Sequence, residues 1–400
     1  MSEQIAAHAL ADCSPKPTGR RKLREVWLAA LAVLVGVGAS GWVQRHTIMA
    51  WYFTKELATA PSERCGWYVD RLAPLGEHAV ESLVQRLQTG DETAKVNCGW
   101  AMAELAGRWG TDHPASQMMS LNVTEALSHL DDAGRREGFN ALRALLSLSK
   151  RENPSDWLTR DLCRVVGCMP DLDGEQSRPV ALALAAQFMH QARPTAPSVL
   201  AHCGDLVNSG LKDRRPECRA HAIRLASAPG VELLERVAPL LEGSTRDPAP
   251  EVRVTALLAL GSHEELLPTD DLLPYLHDSD GDVRTVCEQA LKSRGLLGGH
   301  LQLARQMTDP QPQVRSRVPA LVLDFPDLDT RLWLERLSRD GSPAVRAAVL
   351  RAAGETKEWR LADRMREMAT ADPSPTVRQI ARYYLQEQLA DPRQGDRVTR

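Results

Sequence analysis

The side chains best equipped for chemistry in this 400-residue chain are its eight cysteines and eleven histidines. Cys13 stands alone near the N-terminus, and Cys65, Cys98, Cys163, Cys168, Cys203, Cys218 and Cys287 follow. An oxidising compartment would allow three pairings among them. Cys203 and Cys218 flank the loop between two predicted antiparallel helices, Cys65 and Cys98 each open a Cys-Gly-Trp triplet, and Cys163 and Cys168 bracket a predicted helix end. Free thiols are equally at home inside packed helices, so disulfides and small core residues stand as alternatives; Cys287, in an apolar run, reads as core. His202, Cys203, Cys218 and His221 have the residue types that hold zinc but not the interval of a C-x-x-C knuckle or a finger, so no metal is expected there.

Familiar catalytic patterns are missing: the chain has no P-loop, no G-x-G-x-x-G after a strand, no H-E-x-x-H and no G-x-S-x-G. Glu264, Glu265, Asp270, Asp271, Asp278, Asp280 and Asp282 crowd one short region. Their spacing does not complete an oxygen-ligand calcium loop, and they read as solvated turn residues and helix N-terminal anions. Asn122-Val123-Thr124 matches a glycosylation acceptor, a triplet that arises often by chance. Trp100, Trp157, Trp333 and Trp359 read as packing residues. With 49 basic against 52 acidic residues the chain lacks the positive field that phosphate backbones require, so nucleic acid is not expected as a partner.

The elements that must carry these residues are helices. Only 18 residues are aromatic, and alanine and leucine abound, a balance that favours helices packed by small and aliphatic side chains. A repeat fixes their arrangement. DPAPEVR at 247–253, DSDGDVR at 278–284, DPQPQVR at 309–315, DGSPAVR at 340–346 and DPSPTVR at 372–378 recur at intervals of 31 or 32 residues, each followed by an alanine- and leucine-rich run. Pro250, Pro312, Pro343 and Pro375 fall at the first helical position, with Ser342 and Ser374 placed before two of them as N-caps. Each unit predicts a helical hairpin whose second helix is exemplified by 265–276, and such hairpins bury their apolar stripes only by stacking into an α-solenoid. Further first helices are predicted near 62–73, 132–150, 174–191 and 215–228, with a final helix at 374–389.

An arginine in the first turn of a helix is opposed by the helix dipole, so something must offset it. Asp247, Asp278, Asp309, Asp340 and Asp372 each precede Arg253, Arg284, Arg315, Arg346 and Arg378 by six residues. A ladder of charge-assisted hydrogen bonds along the stack would satisfy both sets, which is a structural role.

Over 245–390 the chain resembles HEAT-type repeats, specifically the short units similar to those of phycobilisome lyases, with their Asp-Pro-x-x-x-Val-Arg pattern and alanine-rich helix. The resemblance fades toward the N-terminus, where 90–107 keeps the aspartate, valine and alanine spacing but has Asn97 in place of the arginine. It implies an all-α recognition scaffold without a cofactor. Enzymes of the wider family can be checked by their own residues. Deoxyhypusine hydroxylases use several His-Glu pairs on iron, and this chain has only His263-Glu264. HEAT-like DNA glycosylases need a basic groove, and residues 247–310 hold 11 acidic against 5 basic side chains. A lyase or other modifying enzyme using the concave face remains the alternative class.

Residues 26–43 form an uncharged run of 18, about 27 Å as a helix, the thickness of a bilayer's hydrocarbon core. Trp27, Trp42, Trp51, Tyr52 and Phe53 sit where amphipathic rings favour the headgroup layer, and Lys16, Arg20, Arg21, Lys22 and Arg24 precede the run. The expected organisation is a basic cytoplasmic tail (1–25), a transmembrane helix (26–43), a juxtamembrane segment (44–60), divergent repeats (61–244), regular repeats (245–390) and a polar tail (391–400). A cleaved signal ending near Ser40 and a secreted solenoid is the competing reading. The expected function is a single-pass protein of the cell membrane whose extracytoplasmic solenoid binds another protein without catalysis. Its groove is expected from the second helices, around 266–276, 297–307, 330–337 and 358–368.

Overall fold

The computed structural model describes residues 44–149, 155–172, 174–194, 196–228, 243–296, 298–325, 328–356 and 361–390. All regular structure among them is helical. The apolar run 26–43 and the tail 391–400 lie outside the described residues, and among those described no helix is long and apolar enough to cross a membrane. The chain divides into two units, one to Leu184 and one from Ala185.

The first unit opens with α1 (Arg45–Ala58), α2 (Ser62–Leu72), α3 (Glu77–Thr89) and α4 (Glu92–Trp109), and continues with α5 (Pro114–Ala126), α6 (Asp132–Leu148) and α7 (Asp156–Cys168). Sequence cues set their ends. Asp91 caps α4 by accepting from the Ala94 amide at 2.8 Å, and Asp131 caps α6 from Gly134 at 2.9 Å. Pro114 starts α5 at a position where a missing N–H costs nothing. Alternate helices stack: α1 on α3, α3 on α5 and α5 on α7 form one layer, and α4 on α6 the other. The last pair approaches so closely at Gly99 that a Cβ there would stand 2.6 Å from the Glu137 Cβ. Leu57, Leu83, Leu87, Met102, Leu105, Met119, Phe139, Leu142 and Leu145 fill the interior, each leucine contributing about 1.5–3 kcal/mol by leaving water.

The stretch 44–60, read as a juxtamembrane segment, contains α1, whose Ala50, Thr54, Leu57 and Ala58 are buried against the unit. Asn97 explains why the arginine of the repeat is absent in α4: its Nδ2 donates to the carbonyls of Leu57 and Ala60, both at 3.0 Å, closing the exposed end of α1.

The unit boundary falls within α8 (Ser177–Ala192). The second unit then runs α9 (Pro197–Leu211), α10 (Pro216–Ala226), α11 (Pro250–Leu260), α12 (Thr269–Leu272), α13 (Gly281–Ser293), α14 (Gly299–Met307), α15 (Pro312–Arg315), α16 (Val318–Leu321), α17 (Thr330–Leu337), α18 (Pro343–Glu355), α19 (Ala362–Ala371) and α20 (Pro375–Ala390). First helices pack on first helices, α10 on α11 on α13, and α18 on α20.

Prolines make two of the predicted helices shorter than expected. Within 265–276, Pro268 caps α12 and Pro274 follows at its far end, so only four residues are α-helical before a 3-10 turn at Leu273–His277. Pro319 lacks the N–H that would bond the Arg315 carbonyl, and the first helix of that repeat breaks into α15 and α16. One serine cap is also corrected. Ser342 stands at the N-cap of α18 without a side-chain capping bond; Asp340 Oδ1 instead accepts the Ser342 amide at 2.8 Å. Asp372 does the same for Ser374, at 2.8 Å.

Candidate functional site

Except for Asp309, which serves two, each repeat aspartate in the second unit serves three donors. Its Oδ1 accepts the amide two residues on, from Ala249, Asp280, Gln311, Ser342 and Ser374 at 2.8–2.9 Å, folding the turn. Its carbonyl accepts Nη1 of its own repeat's arginine: Asp247 from Arg253, Asp278 from Arg284, Asp309 from Arg315, Asp340 from Arg346 and Asp372 from Arg378, all within 2.9 Å. The carboxylate also receives the arginine of the preceding repeat through Nε and Nη2 together. Arg253 holds Asp278 at 2.9 and 2.7 Å, Arg315 holds Asp340 at 2.7 and 2.9 Å, and Arg346 holds Asp372 at 2.8 and 2.8 Å. These planar, two-point pairs suit a guanidinium and would not survive replacement by lysine.

A sixth member escaped the sequence reading. Arg219 grips Asp247 at 2.7 and 2.8 Å while its Nη1 donates to the Asp213 carbonyl at 2.9 Å. Asp213, Pro216 and Arg219 keep the repeat's intervals, and that was the available signal. One rung is open: among the described residues no ion pair joins Arg284 to Asp309. The gap lies directly before the interrupted helix of α15 and α16. At the far end, Arg378 bonds the Asp372 and Pro373 carbonyls at 2.6 and 3.2 Å and meets no carboxylate among the described residues.

Electrostatics follow the geometry. The Arg346 hydrogen bonds hold the Asp372 carboxyl below the ordinary carboxylate range. Burial works against Asp247, Asp278 and Asp340, but the guanidinium and amide bonds outweigh it and keep all three below that range. Arg219, Arg253, Arg315 and Arg346 are correspondingly raised by their aspartate partners.

The cysteines occupy packed positions. Cys65, Cys98, Cys203, Cys218 and Cys287 are buried and Cys163 and Cys168 half-buried, and among the described residues no disulfide is formed. Cys163 and Cys168 lie five residues apart on α7, about 7.5 Å along the axis, beyond the reach of a disulfide. The Cys65 thiol donates to the Pro61 carbonyl at 3.5 Å and that of Cys287 to Leu272 at 3.3 Å. Burial pushes both the Cys98 and Cys287 thiols up to about 12. Among the described residues no cluster of histidine, cysteine, aspartate or glutamate is arranged to hold a metal. The acidic stretch is dispersed: Glu264 accepts from Thr269, Glu265 meets His263, Asp270 meets Arg336, and Asp280 caps α13.

Grooves open along the second helices of each unit. In the first unit α3 and α5 border a space of about 510 Å³ lined by Glu81, Gln85, Gln88, Asn122, Glu125 and His129. In the second unit a space of about 670 Å³ is walled by Asp270 of α12 and by Leu332, Trp333, Glu335 and Arg336 of α17. Its floor includes Arg294, fixed by bonds to the carbonyls of Gly261 and Leu267 at 2.9 and 2.7 Å. Leu332 is 62% exposed there.

Residues 205–292 and 301–386 match the family profile for HEAT repeats. No curated protein sequence matches the chain. Among solved structures it is similar to an engineered protein (TM-score 0.43, 15% identity, covering 85% of this chain and 94% of that one) and to YibA of Escherichia coli (0.40, 15%, 82% and 98%). A further similarity is to UNC-45 from Drosophila melanogaster (0.33, 12%, 87% and 52%). The aspartate–arginine pattern and the stacked hairpins of the second unit agree with the match to HEAT repeats over 205–292 and 301–386.

Proposed function

We propose that the chain is a membrane-anchored, non-catalytic scaffold that holds another protein along its second-helix face. The observation that carries this is the groove of the second unit, where Leu332 and Trp333 stand exposed or half-exposed among interspersed cations, Arg294, Arg336 and Arg339, and anions, Glu264, Asp270 and Glu335. Aromatic, aliphatic and arginine side chains rimmed by charge are the composition of protein-binding hot spots. Arg253, Arg315 and Arg346 of the ladder are already committed to aspartates. The anchor is the uncharged run 26–43, with the basic residues before it placing the repeats outside the cytoplasm.

The test is site-specific photo-crosslinking in intact cells, with the reactive side chain at position 332 in one strain and at exposed Tyr383 in another. A discrete adduct from 332 alone, lost in a Trp333→Ala, Arg336→Ala background whose circular dichroism is unchanged, is expected. Equal labelling from both positions would remove the groove as the binding face. Protease added to cells with an opened outer envelope checks topology: digestion of a full-length, membrane-pelleting chain is expected, and protection would reverse the orientation.

A further inference from the structure

The outward side of α1 has the wrong chemistry for solvent. Ala50, Thr54, Leu57 and Ala58 face the unit, while Ile48, Met49, Trp51 and Tyr52 on the other side are 53, 44, 50 and 51% exposed. Large apolar side chains exposed together in this way mark a surface that meets something other than water. Trp67 of α2, 51% exposed, extends the patch. Edge-to-face contacts join Tyr52 to Phe53, Phe53 to Trp67 and Trp67 to Tyr68, with centroids 5.5, 6.2 and 5.0 Å apart. Two cations complete it: Lys55 lies over the Trp51 ring at 5.3 Å and Arg71 over Trp67 at 4.8 Å.

We infer that this face of α1 and α2 seats in the headgroup layer of the same bilayer that residues 26–43 enter, so that the first unit is held against the membrane surface and does not merely hang from it. The inference rests on the anchored reading given above. Three observations favour lipid as the occupant. The uncharged run ends at Val43 and α1 begins at Arg45, so the patch is delivered to the membrane surface by chain continuity. From Arg45 to Tyr52 the helix rises only about 10 Å, and lying in the plane it would turn Ile48 and Tyr52 toward the bilayer with Met49 and Trp51 on the two flanks. Tryptophan and tyrosine rings with an adjacent cation match an interface that is apolar below and phosphate-bearing above, which is where such rings concentrate.

The full-length chain, reconstituted in phosphatidylcholine–phosphatidylglycerol vesicles carrying a photoreactive phospholipid, tests this by mapping lipid adducts after digestion. Adducts both within 26–43 and within 45–71 are expected. The Trp51→Glu, Trp67→Glu variant, altered only at exposed positions, should lose at least tenfold of the adducts in 45–71 while keeping those in 26–43. Adducts confined to 26–43 would overturn the seating and leave the anchor standing. Adducts confined to 45–71 would support the seating and remove the anchor. Adducts in neither segment would overturn both.

Discussion

Asp309 and Asp372 occupy the same place in the repeat, yet alanine at the two positions should have very different consequences. Asp372 has a side chain only 3% exposed and accepts both outer arms of Arg346, itself 8% exposed, at 2.8 Å. Its removal strands a buried guanidinium that keeps only the Asp340 and Gly341 carbonyls on Nη1. Breaking a buried pair from one side costs about 3–5 kcal/mol. Asp309 receives no arginine and loses with its carboxylate one bond to the Gln311 amide, worth about 0.5–1.5 kcal/mol. Urea titrations followed by circular dichroism, with hydrogen exchange to locate the opening in α18–α20, should therefore rank Asp372→Ala well below Asp309→Ala. Replacing both partners, Arg346→Met with Asp372→Ala, should recover most of the loss, because the orphaned charge is gone. Equal costs for the two aspartates, or simple additivity in the double variant, would refute the ladder as the source of stability.

Acid should weaken the second unit specifically. Since the folded Asp247, Asp278, Asp340 and Asp372 carboxyls lie below their unfolded value of about 3.9, their stabilisation is complete above that pH and is lost as pH falls through the folded values. Urea midpoints should be flat from about pH 5 to 7 and drop below about pH 4, with the drop reduced in Asp372→Asn. Native maleimide labelling at pH 8 should modify Cys163 and Cys168 first and leave Cys98 and Cys287 unmodified until the chain is unfolded, as read by mass spectrometry. Gly99→Ala should destabilise the first unit by about 1–3 kcal/mol in thermal melts, because the new methyl meets Glu137 at its Cβ and not only at its flexible end.

What could be read from residue types was whatever depends on one repeat at a time. Proline at the first helical position and the six-residue aspartate–arginine interval are local, and helix starts at Pro250, Pro343 and Pro375 follow from them. Partner choice is not local. The letters around Arg284 and Arg315 are alike, yet one guanidinium reaches a carboxylate and the other does not, because the pairing depends on how successive first helices stack. Pro319 was visible, but its cost to the helix had to be weighed against an otherwise regular repeat. The rung at Arg219 was hidden by the Arg214-Arg215 pair and by a 34-residue interval to Arg253. The groove's second helices were legible, whereas Arg294 enters it from the end of α13, where no periodicity points. α1 was obscured because the apolar outer side that now sets it apart made 44–60 look like the margin of the preceding span.

The ladder has a direction, and direction bears on how such an array can lengthen. Every closed rung runs from an arginine to the aspartate that follows it, never backward, and Arg378 stands at the end with its forward arms uncommitted to any carboxylate among the described residues. A tandem duplication copied in phase carries both halves of a rung and restores the order at each junction. A copy whose length is not a whole number of units strands a charge at the join. The pairing therefore acts as a reading frame for repeat number, admitting whole units and rejecting fractions.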